Sequence, residues 1–191
     1  MSRLASDKRE MIMAAARSTV QAHGYNRLSF RDLANKVGIR SASIHYHFPT
    51  KGDLGAALAR RYTEDASAAL EGLLVESRDP ATCLRKYTGL FRIALENNNR
   101  MCLCGIMAAE YDALPEAVKV EVRSFVDVNV AWLAKVLSSM GAFSDTAIAE
   151  ERAFAIYAAI AGAQLTARSR GDVSAFDRIV ESYRVSGLIP R

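Results

Sequence analysis

Apolar residues recur along most of this chain at the three- and four-residue spacing of a helix rather than at the alternation of a strand. Ile12, Ala15, Ala16, Thr19 and Val20 fall on one stripe, which predicts a helix from about Asp7 to His23, closed by Gly24. Tyr25-Asn26-Arg27-Leu28 leads into a second helix. Ser29 starts it with Asp32 three residues on, the serine hydroxyl capping free backbone N–H groups. Leu33 and Val37 share one face of that helix, and Ala34 is small where two helices must cross closely. Gly38 stands where the chain reverses and a positive φ is needed. Ile39 and Ile44 re-enter the same small core, and the third helix spans about Arg40 to Phe48. Pro49 ends it, because proline cannot continue the hydrogen-bond ladder. Thr50 then caps the next helix with Asp53 at the capping-box spacing.

The rest of the chain also reads as helix. A fourth helix begins at Lys51 and continues to about Ser77; Asp79-Pro80 starts a fifth that runs to about Glu96. Asn97-Asn98-Asn99 is a break, and a short sixth helix spans roughly Met101 to Tyr111. Leu114-Pro115 opens a seventh that ends near Gly141, and an eighth covers about Ser144 to Arg170. Gly171-Asp172 turns the chain into a ninth, from about Ser174 to Ser186. The predicted fold class is all-α, with about nine helices. Residues 1–50 form a three-helix helix-turn-helix domain, joined to a larger helical domain over residues 51–191.

Composition sharpens this picture. Only four of the 191 residues are proline and half are hydrophobic, which favours helices around a sizeable core. Charge is unevenly placed: residues 1–62 hold eleven Lys/Arg against four Asp/Glu, a net +7, whereas residues 63–191 carry a net −3. A basic front end on a mildly acidic body is the footprint of a phosphate-binding head. The first ten residues are polar and carry no apolar signal-peptide core, and the longest apolar run, Ala153 to Ala163, is half the roughly 20 residues of a membrane span. Three cysteines, an odd number without a secretory context, argue against a disulfide framework, so the expected location is cytoplasmic.

A helix, a glycine turn, a short second helix and the start of a third make double-stranded DNA the expected partner. The exposed side of the third helix offers Arg40, Ser41, Ser43, His45 and Tyr46 for hydrogen bonds to nucleic acid. Arg40, Ser41 and Ser43 lead that helix and are the expected base readers, arginine being able to bond guanine bidentately. Lys51 lies in the first turn of the fourth helix, where free N–H groups and the dipole favour an anion such as phosphate. Ser29 and Arg31 reach phosphate from the second helix and Lys8 and Arg9 from the first, unless they are plain caps or solvated charges. His47 is either a contact or a structural histidine at the helix end; Ile44 and Phe48 are expected in the core.

At these positions the chain resembles the TetR family of bacterial repressors. His45-Tyr46-His47-Phe48-Pro49-Thr50-Lys51-Gly52-Asp53-Leu54 is similar to that family's Tyr-Tyr-His-Phe-x-Ser/Thr-Lys-x-x-Leu, with His45 in place of the commoner tyrosine. Leu33-Ala34-Asn35-Lys36-Val37-Gly38-Ile39 fits its Ile-Ala-x-x-Ala-Gly-Val pattern. The resemblance implies backbone contacts by Tyr46 and Lys51, then His47 and Thr50. It implies a repressor that binds a palindromic operator as a homodimer through helices 8 and 9. It also implies a small-molecule effector bound among helices 4 to 7, whose binding tilts helix 4 and changes the spacing of two heads. Candidate lining residues are Tyr62, Phe91, Met107, Tyr111 and Trp132, with plain core as the alternative.

The last two helices suit association. Helix 8 holds Ala158, Ala159, Ala161, Gly162 and Ala163 around Ile156, Tyr157, Ile160 and Leu165, and helix 9 places Phe176, Ile179, Val180 and Tyr183 on one face. Burial inside one chain is the other reading. A second function class rests on Cys102 and Cys104, which open the sixth helix beside Arg100. First-turn amides there lower a thiol's pKa, giving a thiol-based sensor of electrophiles or oxidants. The run Arg100 to Glu110 is similar to one in a subset of TetR-type regulators, some of which answer to reactive small molecules. On a regular helix these two thiols point to nearly opposite sides, a poor metal pair. His45 and His47 are likewise two apart, and no glycine-rich phosphate loop follows a strand, so no metal, cofactor or enzyme activity is expected.

Overall fold

A computed structural model describes residues 3–141 and 145–191. In chain order its helices are α1 (Arg3–His23), α2 (Phe30–Val37), α3 (Ser41–His47), α4 (Lys51–Glu76), α5 (Pro80–Glu96), α6 (Leu103–Ala108), α7 (Glu116–Ser139), α8 (Thr146–Arg170) and α9 (Val173–Val185). A 3-10 turn, Tyr111–Ala113, lies between α6 and α7, and the described residues contain no strand. The all-α expectation holds.

Local chemistry explains the boundaries. Ser29 Oγ accepts the Asp32 N–H at 3.4 Å, and Gly38 ends α2 at φ +75. Thr50 and Asp53 close a reciprocal box: Asp53 Oδ2 accepts the Thr50 N–H at 2.9 Å, and Thr50 Oγ1 accepts the Asp53 N–H at 3.1 Å. Asp79, Asp145 and Asp172 cap α5, α8 and α9 through their carboxylates.

Three boundaries differ from expectation. α1 starts at Arg3, four residues before Asp7. The predicted sixth helix is cut at both ends. Cys102 is its extended N-cap at φ −49, ψ 132, and beyond Ala108 the chain tightens into the 3-10 turn. Leu114 is extended because a residue before proline is driven out of the helical region, so α7 starts only after Pro115. Ser144, the expected start of the eighth helix, lies outside the described residues.

The chain packs as two compact units. One takes the residues up to Thr63 together with Cys102–Phe125; the other takes Glu64–Met101 with Val126–Arg191. In the first, α1 packs on α2, α3 and α6. Ile12, Ala16, Val20, Leu33, Ile44, Leu54 and Leu103 are at most 1% exposed. In the second, α5 packs on α8 and α9, and α8 on α9, with Leu84, Tyr87, Leu133, Leu137, Ile156 and Ile160 fully buried.

Buried polar groups in the second unit are paired, as burial demands. The Tyr87 hydroxyl donates to Asn129 Oδ1 at 3.0 Å, Gln164 Nε2 donates to the Phe91 carbonyl at 2.7 Å, and Trp132 Nε1 donates to the Leu70 carbonyl at 2.8 Å. The Trp132 indole stacks on Tyr87 with centroids 5.4 Å apart.

The expected association stripe needs correction. Ile156, Ile160, Phe176 and Val180 are buried within the second unit and serve its own core. Ala158, Gly162 and Leu165 of the expected stripe do face outward, joined on α8 by Phe154, whereas on α9 the outward residues are Arg178, Glu181, Ser182 and Val185. Periodicity identified the apolar faces but not which of them the chain itself covers.

One close approach is open to test. A Cβ on Gly55 of α4 would lie 2.6 Å from Tyr25 Cε2 and 3.0 Å from Val118 Cγ2. Gly55→Ala is expected to lower stability by about 1–3 kcal/mol through overpacking, in spite of alanine's better helix propensity. Urea unfolding checks this; an unchanged or higher midpoint would mean the Tyr25 ring yields freely.

Candidate nucleic-acid interface

The α2–turn–α3 unit is set by its inner face. The N–H groups of Gly38 and Ile39 both donate to the Ala34 carbonyl, at 2.9 and 3.0 Å, which fixes the reversal. Ile44 is fully buried and Phe48 is 2% exposed. With those two residues inside, Arg40, Ser41, His45 and Tyr46 of the same short segment are exposed, Tyr46 to 78%. Ser43 is half-buried. Arg40 itself is the N-cap, its carbonyl accepting the Ser43 N–H at 2.9 Å, so its side chain leaves the helix at its very start.

His45 sits edge-on to Phe30 with ring centroids 4.8 Å apart, and its Nδ1 lies 3.2 Å from the Pro49 carbonyl. A carbonyl only accepts, so Nδ1 carries the proton in that contact and Nε2 is turned to other partners. Tyr46 meets the half-buried His47 edge-on at 5.1 Å. The outer surface of α3 thus presents a guanidinium, hydroxyls, an imidazole nitrogen and a phenol, all able to bond base edges or phosphate.

The flanking candidates are held to different degrees. Ser29 is half-buried and occupied as a cap, whereas Arg31 is exposed. Thr50 is exposed but its hydroxyl is bound to Asp53, donating to Oδ2 at 2.7 Å. Lys8 is exposed, while the Arg9 guanidinium lies 5.1 Å over the Phe48 ring and so covers the core from the α1 side. Lys51 is more constrained than its sequence position suggests. Its Nζ donates to the Asn26 carbonyl at 3.1 Å and sits 4.6 Å over the Tyr25 ring. Burial lowers its pKa, and the negative charge of Glu110 works against that. Burial also pushes Tyr25 up to about 12. Glu110, Tyr25 and Asn26 escaped the sequence reading: Asn26 and Glu110 are 84 residues apart, and no local spacing signals their contact.

The candidate effector residues do not share one compact unit. Tyr62, Cys102, Cys104, Met107 and Tyr111 belong to the first, Phe91 and Trp132 to the second. Met107, Phe91 and Trp132 are buried. Tyr111 is 41% exposed, its ring under the Lys119 ammonium at 4.7 Å and its hydroxyl accepting from Arg123 at 2.9 Å, so it faces outward. Tyr62 lies against Phe125, with ring centroids 5.3 Å apart, and under the Arg17 guanidinium at 4.7 Å. Of the seven, Trp132 lines an open groove of about 260 Å³ in the second unit, beside Leu70 and Val128 and under the Glu71–Lys135 ion pair.

The thiols behave differently from the expectation of a reactive helix start. Cys102 is the N-cap of α6, outside the regular helix, so the spacing of two helical positions does not apply to the pair, and the charge of a Cys102 thiolate would bear on Cys104. Cys102 receives the Tyr62 hydroxyl as a donor and faces the N–H groups of Gly105 and Cys104, all of which favour a thiolate. Burial outweighs them and pushes the Cys102 thiol up; Cys104 is pushed well above its ordinary value, by burial first and then by Cys102 and Glu121. Among the described residues no three His, Cys, Asp or Glu side chains gather as a metal site.

Comparison with known proteins points the same way as the α2–α3 geometry. Residues 12–58 match the family model described as bacterial regulatory proteins, tetR family. An HTH-type transcriptional repressor of Mycobacterium tuberculosis is 36% identical over 74 residues, 38% of this chain and 40% of that protein. The nucleoid occlusion factor SlmA of Marinobacter nauticus is 27% identical over 95 residues, 50% of this chain and 49% of that one. The matches thus span about half the length of these curated relatives. Solved structures align over nearly the whole chain. A TetR transcriptional regulator from Legionella pneumophila has 30% identity and a TM-score of 0.86, covering 93% of this chain and 95% of that one. A TetR-family regulator from Agrobacterium tumefaciens has 34% identity and a TM-score of 0.84, covering 93% and 96%.

With both thiols buried and held protonated, Cys102 and Cys104 are expected to resist iodoacetamide in the native protein at mildly alkaline pH and to react fully once the chain is unfolded. Peptide mass spectrometry after a short pulse checks this. Rapid labelling of either thiol in the folded protein would restore the sensor reading.

Proposed function

This chain belongs to the TetR family of bacterial regulatory proteins, and from that membership we propose a ligand-responsive repressor that binds a palindromic DNA operator as a homodimer and is released by a small-molecule effector. The observation that carries the reading is the exposed outer face of α3 over a closed core of Ile44 and Phe48. In this reading residues 1–50 are the DNA-binding domain and residues 51–191 bind effector and partner. Arg40, Ser41 and Ser43 read bases. Tyr46, His47, Thr50 and Lys51 hold the phosphate backbone, with Ser29 and Arg31 beside them and His45 presenting Nε2 to the groove. The net +7 of residues 1–62 supports phosphate binding of this kind. A relative that is itself named a repressor supports that sign of control. Work on DNA is cytoplasmic in a bacterium, which is the location we propose; no described helix is long and apolar enough to cross a membrane.

The homodimer reading is supported by the outward faces of α8 and α9. Phe154 and Leu165 are 52% and 57% exposed on one side of α8, with Ala158 and Gly162 allowing a close approach between them, and Val185 of α9 is 69% exposed. Large apolar side chains grouped on a water-facing surface mark an association site. Two-fold symmetry doubles the bases read and makes the operator palindromic. Release needs an effector that binds one arrangement of the protein better than the other. The buried, protonated thiols give the alternative reading, a sensor acting through Cys102 and Cys104, little support.

Selection of bound duplexes from a random DNA pool tests the core of the proposal. An enriched palindrome supports it; binding that vanishes with salt and enriches nothing would sink it. On the selected duplex, Lys51→Ala is expected to weaken binding to every sequence and to lower the salt slope by about one, the signature of a lost phosphate contact. Leu165→Glu is expected to halve the mass in sedimentation equilibrium with helical content unchanged; a mass equal to the parent protein's would move the interface elsewhere.

A further inference from the structure

The turn after α1 is gripped from two sides by residues distant in sequence. Glu110, between α6 and the 3-10 turn, accepts the Asn26 N–H on Oε2 at 3.0 Å. The same carboxylate lies so close over Gly24, at φ +87, that a Cβ there would collide with it. On the other side Lys51 donates to the Asn26 carbonyl and rests on the Tyr25 ring, which is itself seated on Gly55. Asn26 therefore gives its N–H to an anion and its carbonyl to a cation, and the two charges interact across the turn.

This arrangement acts on Lys51 in two ways. The turn fixes where the ammonium sits, so little side-chain freedom remains to be lost when it meets a ligand. The carboxylate lowers the local positive potential that an approaching phosphate feels. We propose that Glu110 is a positioning residue for DNA binding, which anchors the Gly24–Asn26 turn through its hydrogen bond and holds down the phosphate affinity of Lys51 through its charge. The inference rests on Lys51 being a phosphate contact. It assigns a role in DNA binding to a residue outside the region 12–58 that the family model matches. It also gives the α6 segment a direct electrostatic hold on the start of α4.

A double-mutant cycle tests it, using the full chain with Glu110→Gln, Lys51→Met and both together. Dissociation constants are measured on the selected operator and on a scrambled duplex across a salt series. Glutamine keeps an acceptor for the Asn26 N–H and removes the charge. Glu110→Gln is expected to tighten binding to both duplexes about two- to fivefold at low salt, the scale of an exposed charge pair. The gain should shrink as salt rises and disappear in the Lys51→Met background. Glu110→Ala, which loses the anchor as well, is expected to forfeit that gain. No gain from Glu110→Gln, or an equal gain with and without Lys51, overturns the proposal while leaving Lys51 as a phosphate contact. Full affinity and an unchanged salt slope in Lys51→Met overturn the phosphate contact itself, and this inference with it.

Discussion

Burial of Ile44 and Phe48 is the constraint on which the exposed face of α3, the proposed DNA-binding surface, depends. α3 has only seven residues, too few to hold a helix in water by its own hydrogen bonds. It exists because these two side chains close a core with Leu33 and Ala34 of α2 and with α1. A short helix has few faces to share out. Once the inner one is committed, the polar side chains between the buried positions have nowhere to go but solvent. The exposed face is in this sense a by-product of packing: the core selects the rotation of α3, and the rotation selects which side chains face solvent. Arg9 closes the same core from outside, spending a cation as a cover for Phe48 rather than as a free charge.

Charge at this surface is arranged rather than merely accumulated. The basic residues of the first 62 do not all point at a common ligand. Arg60 is paired with Glu121 at 2.5 Å, Arg61 with Glu10 at 3.2 Å, and Lys51 is tied into the Gly24–Asn26 turn. Net charge therefore overstates the number of cations ready for phosphate, although Lys8, Arg31 and Arg40 are among those that stay exposed. The Glu110 carboxylate adds an opposing charge from the α6 segment, where acidity would not be sought in a basic head.

The cysteines show how one physical effect overrides another. A thiol at a helix start, near backbone amides and an arginine, has the ingredients of a thiolate. Cys102 has all of them and is still pushed toward the protonated form, because removing a charge from water outweighs a few hydrogen bonds. Sequence shows the favourable partners but not the burial. The same blindness affected the candidate effector residues: Tyr111 and Trp132 are both aromatic and both sit in helical patterns, yet one lies on the surface and the other is stacked on Tyr87 in a core.

Local chemistry settled much of this protein in advance. The helical period, the Ser29 and Thr50–Asp53 caps, the positive φ of Gly38 and the stop at Pro49 all depend on residues within a few positions of one another, so the order of helices and the recognition segment could be read directly. The N-cap at Cys102 and the 3-10 turn after Ala108 shortened the sixth helix, and proline at 115 delayed the seventh, in ways that periodicity alone does not weigh. Tertiary structure decided which apolar face of α8 and α9 the chain covers, that Cys102 and Cys104 are both dry, and that Glu110 and Lys51 meet at the same turn. Those outcomes depend on partners tens of residues away, and the free energy of burial and of charge is fixed by what surrounds a group in space, which its neighbours in sequence do not specify.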